Sequence, residues 1–340
     1  MAKPPPLISH QIPHTSRLHG AISILTMLAS MSLGPLIPPL ILLLYALSLA
    51  PAASSLLAFA VLLHCLAGHS PRWCRFYLRS AGWFTNGVHI HFEPSTIDAV
   101  AASPSMWCMH PHGTSVGFGF SLNGAVRLRA EAEALYLPPA FVGKVPVARL
   151  RRCNGVQAPM MFNVPLLRNA LLGFGCATPA TREGMRGLFE GGVDFGILPG
   201  GMEEVALYTK GRERVYLRRR AGFIKYGLQH GYLVVPGYTF GECDCYTSLQ
   251  AGKGLRMWML KHVGLIVPVF WGPKWWCPAL PDPDVQLNTV VGQAFRLPVI
   301  KEPTKEDVDK WHKKYIESLV EHFDTHKERF GYGDRELEIV

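Results

Sequence analysis

At 340 residues the chain can bury one sizeable core, yet only 17% of it is charged and 49% is hydrophobic. A soluble domain carries about 25% charged residues, and here the shortfall is local: no Lys, Arg, Asp or Glu lies between Arg17 and Arg72. The net charge of +9 suits anionic partners, but no basic helix or aromatic–basic pattern marks a nucleic-acid binder, so lipid headgroups and phosphate-bearing substrates are the better match.

Met1–His19 is Pro-rich and reads as a flexible cytosolic tail. The apolar stretch that follows is too long for a signal-peptide core, and no small-residue cleavage site stands out. A bilayer span needs about 20 apolar residues, so spans near Ala21–Leu49 and Ala52–Gly68 are expected, with Pro51 turning a hairpin between them. Arg72, Arg75 and Arg79, interleaved with Trp73, Phe76, Tyr77 and Trp83, suit an interfacial helix on the cytosolic side. The expected organisation is a tail over 1–19, a membrane-embedded hairpin over 20–70 and a cytosol-facing catalytic domain over 71–340. The eight cysteines form no zinc-like spacing and read as reduced thiols.

From His89 onward, apolar runs alternate with helix-like segments. Ser105–Met109, Val193–Leu198, Leu233–Tyr238 and Leu265–Phe270 are the expected strands, and Gly184–Phe189 and Ala221–Gln229 the expected helices. This alternation predicts an α/β fold with a mostly parallel sheet and flanking helices, whose ligands bind outside the carboxyl ends of the strands. Beyond Pro303-Thr304 a long helix is expected, with Val308, Trp311, Tyr315, Leu319 and Phe323 packed on the core and no chemistry of its own.

Three segments carry candidate chemistry. His110-Pro111-His112-Gly113 ends a strand; a His there can take a proton from a hydroxyl, and Gly113 admits a substrate close to backbone N–H groups. Physics alone does not separate His110 from His112 as that base. Pro199-Gly200-Gly201-Met202-Glu203-Glu204 ends another strand, exposing backbone donors near Gly200 and Gly201 and a carboxylate, Glu204, to orient a His. Arg218, Arg219 and Arg220, followed by Gly222, Phe223 and Lys225, offer cations suited to phosphate. A competing pattern, Gly113-Thr114-Ser115-Val116-Gly117, matches the nucleophile elbow of serine hydrolases, but Pro111 before it and the glycines after it suit neither the strand nor the helix that the elbow requires.

In order, these segments, together with Leu233-Val234-Val235-Pro236, Phe240-Gly241-Glu242, Val291-Gly292 and the helix after Pro303, resemble the diacylglycerol acyltransferase type-2 family. That family includes monoacylglycerol acyltransferases and wax-ester synthases. The resemblance implies an acyltransferase-type domain, His112 as general base with His110 beside it, and Glu204, Gly200 and Gly201 as the family's G-G-x-x-E. It also implies Arg220, Gly222 and Phe223 as its R-x-G-F. It further implies acyl-CoA as co-substrate without a metal or other cofactor, diacylglycerol and membrane lipids as partners, and residence in the endoplasmic reticulum membrane and on lipid droplets. A homo-oligomer is left open.

The expected activity is acyl-CoA:diacylglycerol O-acyltransferase, making triacylglycerol, with monoacylglycerol or a fatty alcohol as alternative acceptors. Weaker alternatives are a lysophospholipid acyltransferase, a Ser115 lipase or esterase, and a non-catalytic lipid-binding protein. Two positions depart from expectation. The family's Tyr-Phe-Pro reads His91-Phe92-Glu93-Pro94, and the Asp that follows the catalytic His of phospholipid acyltransferases is Gly117.

Overall fold

The computed structural model describes residues 5–114, 117–128, 137–263 and 268–340. Its main sheet contains β1 (Ile8–Gln11), β2 (Val88–Phe92), β3 (Ser105–His110), β4 (Asn154–Gln157), β5 (Ala177–Pro179), β6 (Phe195–Ile197), β7 (Leu233–Phe240) and β8 (Leu287–Val291). Their spatial order is β1-β2-β8-β7-β3-β6-β4-β5, with Phe295–Arg296 pairing beside β7 to make nine strands. From β7 through β3, β6 and β4 to β5 every pairing is parallel. Strand β8 is antiparallel to β7 and parallel to β2, which β1 joins antiparallel. The sheet is thus mixed but mostly parallel.

The apolar runs form strands because helices cover both faces of the sheet. Every residue of β3 and of β7 is buried, as a parallel strand covered on both sides requires. The helices that matter to the site are α1 (Arg17–Leu33), α2 (Ile37–Ala46), α3 (Ala50–Leu66), α4 (Phe118–Asn123), α5 (Met202–Leu207), α6 (Gly222–His230) and α7 (Lys305–His326). The start of α7 is fixed by a reciprocal cap, in which the Thr304 side chain accepts from Asp307 N while Asp307 accepts from Thr304 N.

The N-terminal segment departs from expectation. It is not a free tail, because Ile8–Gln11 pairs residue for residue with His89–Phe92 as the edge strand β1. Arg17–Ala46 is a helix long and apolar enough to cross a membrane, but it is interrupted by a tight turn at Gly34–Leu36. One face of α1 is spent on the domain: Gly20 sits against the Trp83 backbone, and Ser23 donates to the Tyr77 carbonyl at 3.3 Å. Helix α3 has 17 residues, at the short end of what a span needs, and is followed after a bend of 98° by the helical segment Pro71–Trp83.

The aromatic residues expected at an interface are also partly inside. Trp73 donates to the Ala170 carbonyl at 2.8 Å, and the Tyr77 hydroxyl donates to Ser121 at 2.6 Å. Of the expected strand Leu265–Phe270, residues 265–267 lie outside the described set. Phe270–Trp271 pairs with Thr247–Ser248 in a separate ribbon. The sheet strand in that part of the chain is β8.

Candidate active site

Adjacent parallel strands β3 and β6 deliver the two motif loops to the same edge of the sheet. Cys108 pairs with Ile197, so His110-Pro111-His112-Gly113 and Pro199-Gly200-Gly201 emerge side by side. Glu204, in the first turn of α5, bridges them. Its Oε2 accepts from His112 N at 2.8 Å, and its Oε1 accepts from Tyr216 N at 3.0 Å. Oε1 also lies 3.6 Å from His110 Nδ1. Gly200 is required here, since a Cβ on it would overlap the Glu204 carboxylate.

The two histidines differ in surroundings. His110 is buried, and its Nε2 shares a hydrogen bond with the Tyr315 hydroxyl of α7 at 2.8 Å, the donor depending on the ring tautomer. His112 lies on the wall of a cavity of about 1600 Å³, together with Tyr216, Arg219, Arg220, Gly222 and Phe223. A small-molecule pocket usually measures about 300–1,000 Å³, so the space suits a long-chain substrate. Its far walls are apolar and come from Met27, Leu28 and Met31 of α1 and from Leu167 and Leu171.

Burial pushes the His112 imidazole below its ordinary range, with the Glu204 charge pulling the other way. The ring is therefore neutral near pH 7, as a base must be. Its Nδ1 is buried without a hydrogen-bond partner among the described residues. Glu204 accepts from the His112 main-chain N–H and not from its ring, so it holds the backbone that carries the imidazole while its charge acts on the ring.

A second carboxylate, Glu242, braces the same loop. It accepts from Phe118 N at 3.0 Å and Gly119 N at 2.7 Å, the first N–H groups of α4. Burial raises the Glu242 carboxyl to about 7 against the pull of those N–H groups. Gly113, with φ +71°, packs so closely on Glu242 that a Cβ would overlap it. Glu242 was visible in the sequence only as part of a motif, and Tyr315 only as one residue of an apolar face. A buried Tyr usually finds a polar partner, which is the signal that could have flagged Tyr315.

The basic run divides. Arg219 and Arg220 line the cavity. Arg220 ion-pairs with Glu203, sits 5.7 Å from the Tyr216 ring centroid, and keeps a buried Nε without a partner among the described residues. Arg218 points elsewhere, donating to the Ile339 carbonyl at 3.0 Å, and Lys225 is exposed on α6. Pro111, Gly113 and Gly200 support the loops behind the wall, whereas Gly201 reaches it. Ser115, the rival nucleophile, lies outside the described residues.

Comparison with known proteins places the chain in a family. Residues 140–340, more than half of the chain, match the family model described as Diacylglycerol acyltransferase. Diacylglycerol O-acyltransferase 1 of Eremothecium gossypii is 31% identical over 241 residues, 68% of this chain and 49% of that protein. Diacylglycerol O-acyltransferase 2 of Homo sapiens is 30% identical over 242 residues, 67% of this chain and 58% of that protein. Acyl-CoA wax alcohol acyltransferase 1 of Mus musculus is 28% identical over 258 residues, 72% of this chain and 74% of that protein. The chain thus spans about half the length of the first two relatives. A solved bacterial relative in shape, the 1-acyl-sn-glycerophosphate acyltransferase PlsC of Thermotoga maritima, overlaps 87% of this chain and 98% of its own at 11% identity, with a TM-score of 0.38, too loose to bear on the fold. On the extent of the family match, the chain belongs to the diacylglycerol acyltransferase family.

Proposed function

We propose that the chain is an acyl-CoA:diacylglycerol O-acyltransferase that makes triacylglycerol. The observation that carries this reading is the position of His112, a neutral imidazole on the wall of a long apolar cavity whose rim bears Arg219 and Arg220. In the proposed reaction His112 takes the proton of the acceptor hydroxyl as its oxygen attacks the thioester carbonyl. The C–S bond then breaks, and the CoA thiolate leaves with the proton returned from His112. Arg219 and Arg220 hold the CoA phosphates, and the apolar walls take the acyl chain. The reaction needs no metal or redox cofactor in its balance.

Membrane attachment follows from the same frame. Strand β1 precedes the apolar helices and pairs with β2, which follows them, so the chain leaves the domain and returns to it on one side. This supports a hairpin or re-entrant insertion rather than a single crossing; placement of the domain on the cytosolic side, at the endoplasmic reticulum or on a lipid droplet, is proposed from the family membership.

The test supplies membranes from expressing cells with labelled acyl-CoA and a panel of acceptors: diacylglycerol, monoacylglycerol, fatty alcohol and lysophosphatidate. Triacylglycerol output that His112→Ala abolishes supports the reading. Full output from His112→Ala overturns the mechanism, and preference for a fatty alcohol reassigns the acceptor, as the similarity to a wax alcohol acyltransferase allows. Loss of activity in Ser115→Ala with a covalent phosphonate adduct would instead establish a hydrolase.

A further inference from the structure

Glu93, the residue at which the sequence departs from the family's Tyr-Phe-Pro, lies at the junction of β2 with the helix Pro94–Ala102 but does not cap that helix. Its carboxylate turns to α7. Oε1 lies 3.4 Å from His326 Nε2 and 3.8 Å from His322 Nδ1. All three ligand-capable atoms fall within 4.8 Å of one another.

The histidines are four residues apart, one helical turn, so both rings leave the same face of α7. That face is closed: the His322 side chain is 4% exposed, that of His326 0% and that of Glu93 16%. His322 Nε2 donates to the Val290 carbonyl at 3.0 Å. Because a carbonyl only accepts, the ring proton is on Nε2, and Nδ1 presents a lone pair in the neutral ring. This buried Nδ1 has no hydrogen-bond partner among the described residues and faces a carboxylate oxygen. A lone pair aimed at a carboxylate repels it unless a positive charge, a second ring proton or a metal ion, lies between them, and at 3.8 Å the gap is long for a proton-bridged contact.

We infer that Glu93, His322 and His326 form a binding site for a divalent transition-metal cation of the zinc type. Zinc binds His nitrogen and carboxylate oxygen at about 2.0–2.2 Å in tetrahedral geometry, which places ligand atoms about 3.4 Å apart. The His326–Glu93 distance already fits, the His322–Glu93 distance needs to close by a few tenths of an ångström, and the two ring nitrogens, within 4.8 Å of each other, draw in to the same spacing. The His322–Val290 hydrogen bond is the outer-shell contact that fixes the ring of a ligating His. Gly292 is needed beside it, since a Cβ there would overlap the His322 ring. The partly exposed side of Glu93 leaves the fourth position to water.

Such an ion clips the end of β2 to α7, the helix that also holds Tyr315 against His110. Tyr315 precedes His322 by seven residues, about 10 Å along the axis. The ion is a structural clip at a distance from the reacting atoms, so acyl transfer and metal binding are separable properties.

The experiment uses the full chain without a polyhistidine tag, purified in detergent and dialysed against metal-free buffer. Metal content is measured by mass spectrometry, and thermal unfolding is followed with zinc or with chelator. The expected result is one zinc per chain, and a melting temperature that chelator lowers and zinc restores. Cobalt in its place gives the intense visible bands of a tetrahedral site. Glu93→Gln, at a partly exposed position that tolerates an isostere, keeps the fold and lowers zinc occupancy to about a tenth or less; His326→Gln does the same. The inference is overturned if the wild-type chain holds no more zinc than Glu93→Gln, or if its melting is indifferent to chelator and to added metal. Neither readout depends on acyl transfer, so failure here leaves the proposed reaction standing, and the reverse also holds.

Discussion

The main-chain N–H of His112 donates to Glu204 Oε2 at 2.8 Å, so the carboxylate steers its neighbour through the backbone rather than through the ring. The other oxygen satisfies Tyr216 N. Glu204→Ala therefore strands two half-buried N–H groups at up to about 1–3 kcal/mol each, releases the His112 loop, and lowers both melting temperature and turnover. Glu204→Gln keeps one acceptor oxygen and should retain part of each. The check is a thermal melt beside a triacylglycerol assay; equal, full activity in both variants would show that the backbone anchor is irrelevant to catalysis.

Gly200→Ala tests the same anchor from the other side. The new methyl group overlaps the Glu204 carboxylate, so the carboxylate must move although its charge is intact. The variant should resemble Glu204→Ala in melting temperature and turnover, while Gly211→Ala, where a Cβ meets nothing but the φ of +76° is strained, loses stability alone. Measuring both separates displacement of the carboxylate from backbone strain.

Tyr315 supports His110 from α7. Tyr315→Phe keeps the ring packing, removes one buried hydrogen bond worth about 0.5–1.5 kcal/mol, and leaves His110 Nε2 unpaired. The expected outcome is a folded enzyme with kcat lowered several-fold and KM for acyl-CoA unchanged. His112→Ala should lose about 10²–10⁴-fold, the usual contribution of a general base. If the order of the two effects were reversed, His110 would be the base.

The sequence made the chemistry of these loops legible because strand-end positions and motif order are local. Ser105–His110, Leu233–Phe240 and the helix from Lys305 all emerge close to where apolar periodicity put them. Strands β4 and β5 are short, of four and three residues, too short for alternation to register. The pairing of Ile8–Gln11 with β2 is a contact across some eighty residues, which no local pattern encodes. His110 and His112 separate only once α7 is docked, because Tyr315, distant in sequence, claims one ring and the cavity takes the other. The arginine run looked uniform until the C-terminal Ile339 drew Arg218 away from Arg219 and Arg220.

The pH profile follows from His112. Burial places its imidazole below the ordinary value of 6.5, with the Glu204 charge opposing. As the base must be neutral, kcat/KM should stay level from pH 8 down to 6.5 and fall only beneath it. The linkage has the same direction: with its folded pKa depressed, the group's contribution to stability is complete above 6.5 and is lost as the pH drops, because the unfolded chain takes up the proton first. Glu242, raised to about 7 by burial beside the same loop, is the other group that titrates in this window, so an acid limb at or above pH 7 that persists in Glu242→Gln would assign the base to another group.

Arg220 and Arg218 make the sharpest pair of variants at the rim. Arg220 lines the cavity with a buried Nε that has no partner among the described residues, and its Glu203 ion pair and Tyr216 ring hold it in place. A hydrogen bond to a charged group contributes about 1.5–3 kcal/mol, and every 1.4 kcal/mol is about tenfold in affinity. Arg220→Ala should therefore raise KM for acyl-CoA by about 10–100-fold, with little change in kcat if its part is to hold the CoA phosphates. Arg220→Lys keeps the charge but not the planar fork, and should recover only part of the loss. Arg218→Ala removes a bond to the Ile339 carbonyl outside the cavity, so it should leave KM unchanged. Kinetics at two ionic strengths complete the test: added salt should weaken acyl-CoA binding in the wild type more than in Arg220→Ala. Equal KM values for the wild type and Arg220→Ala would remove the CoA phosphates from this rim.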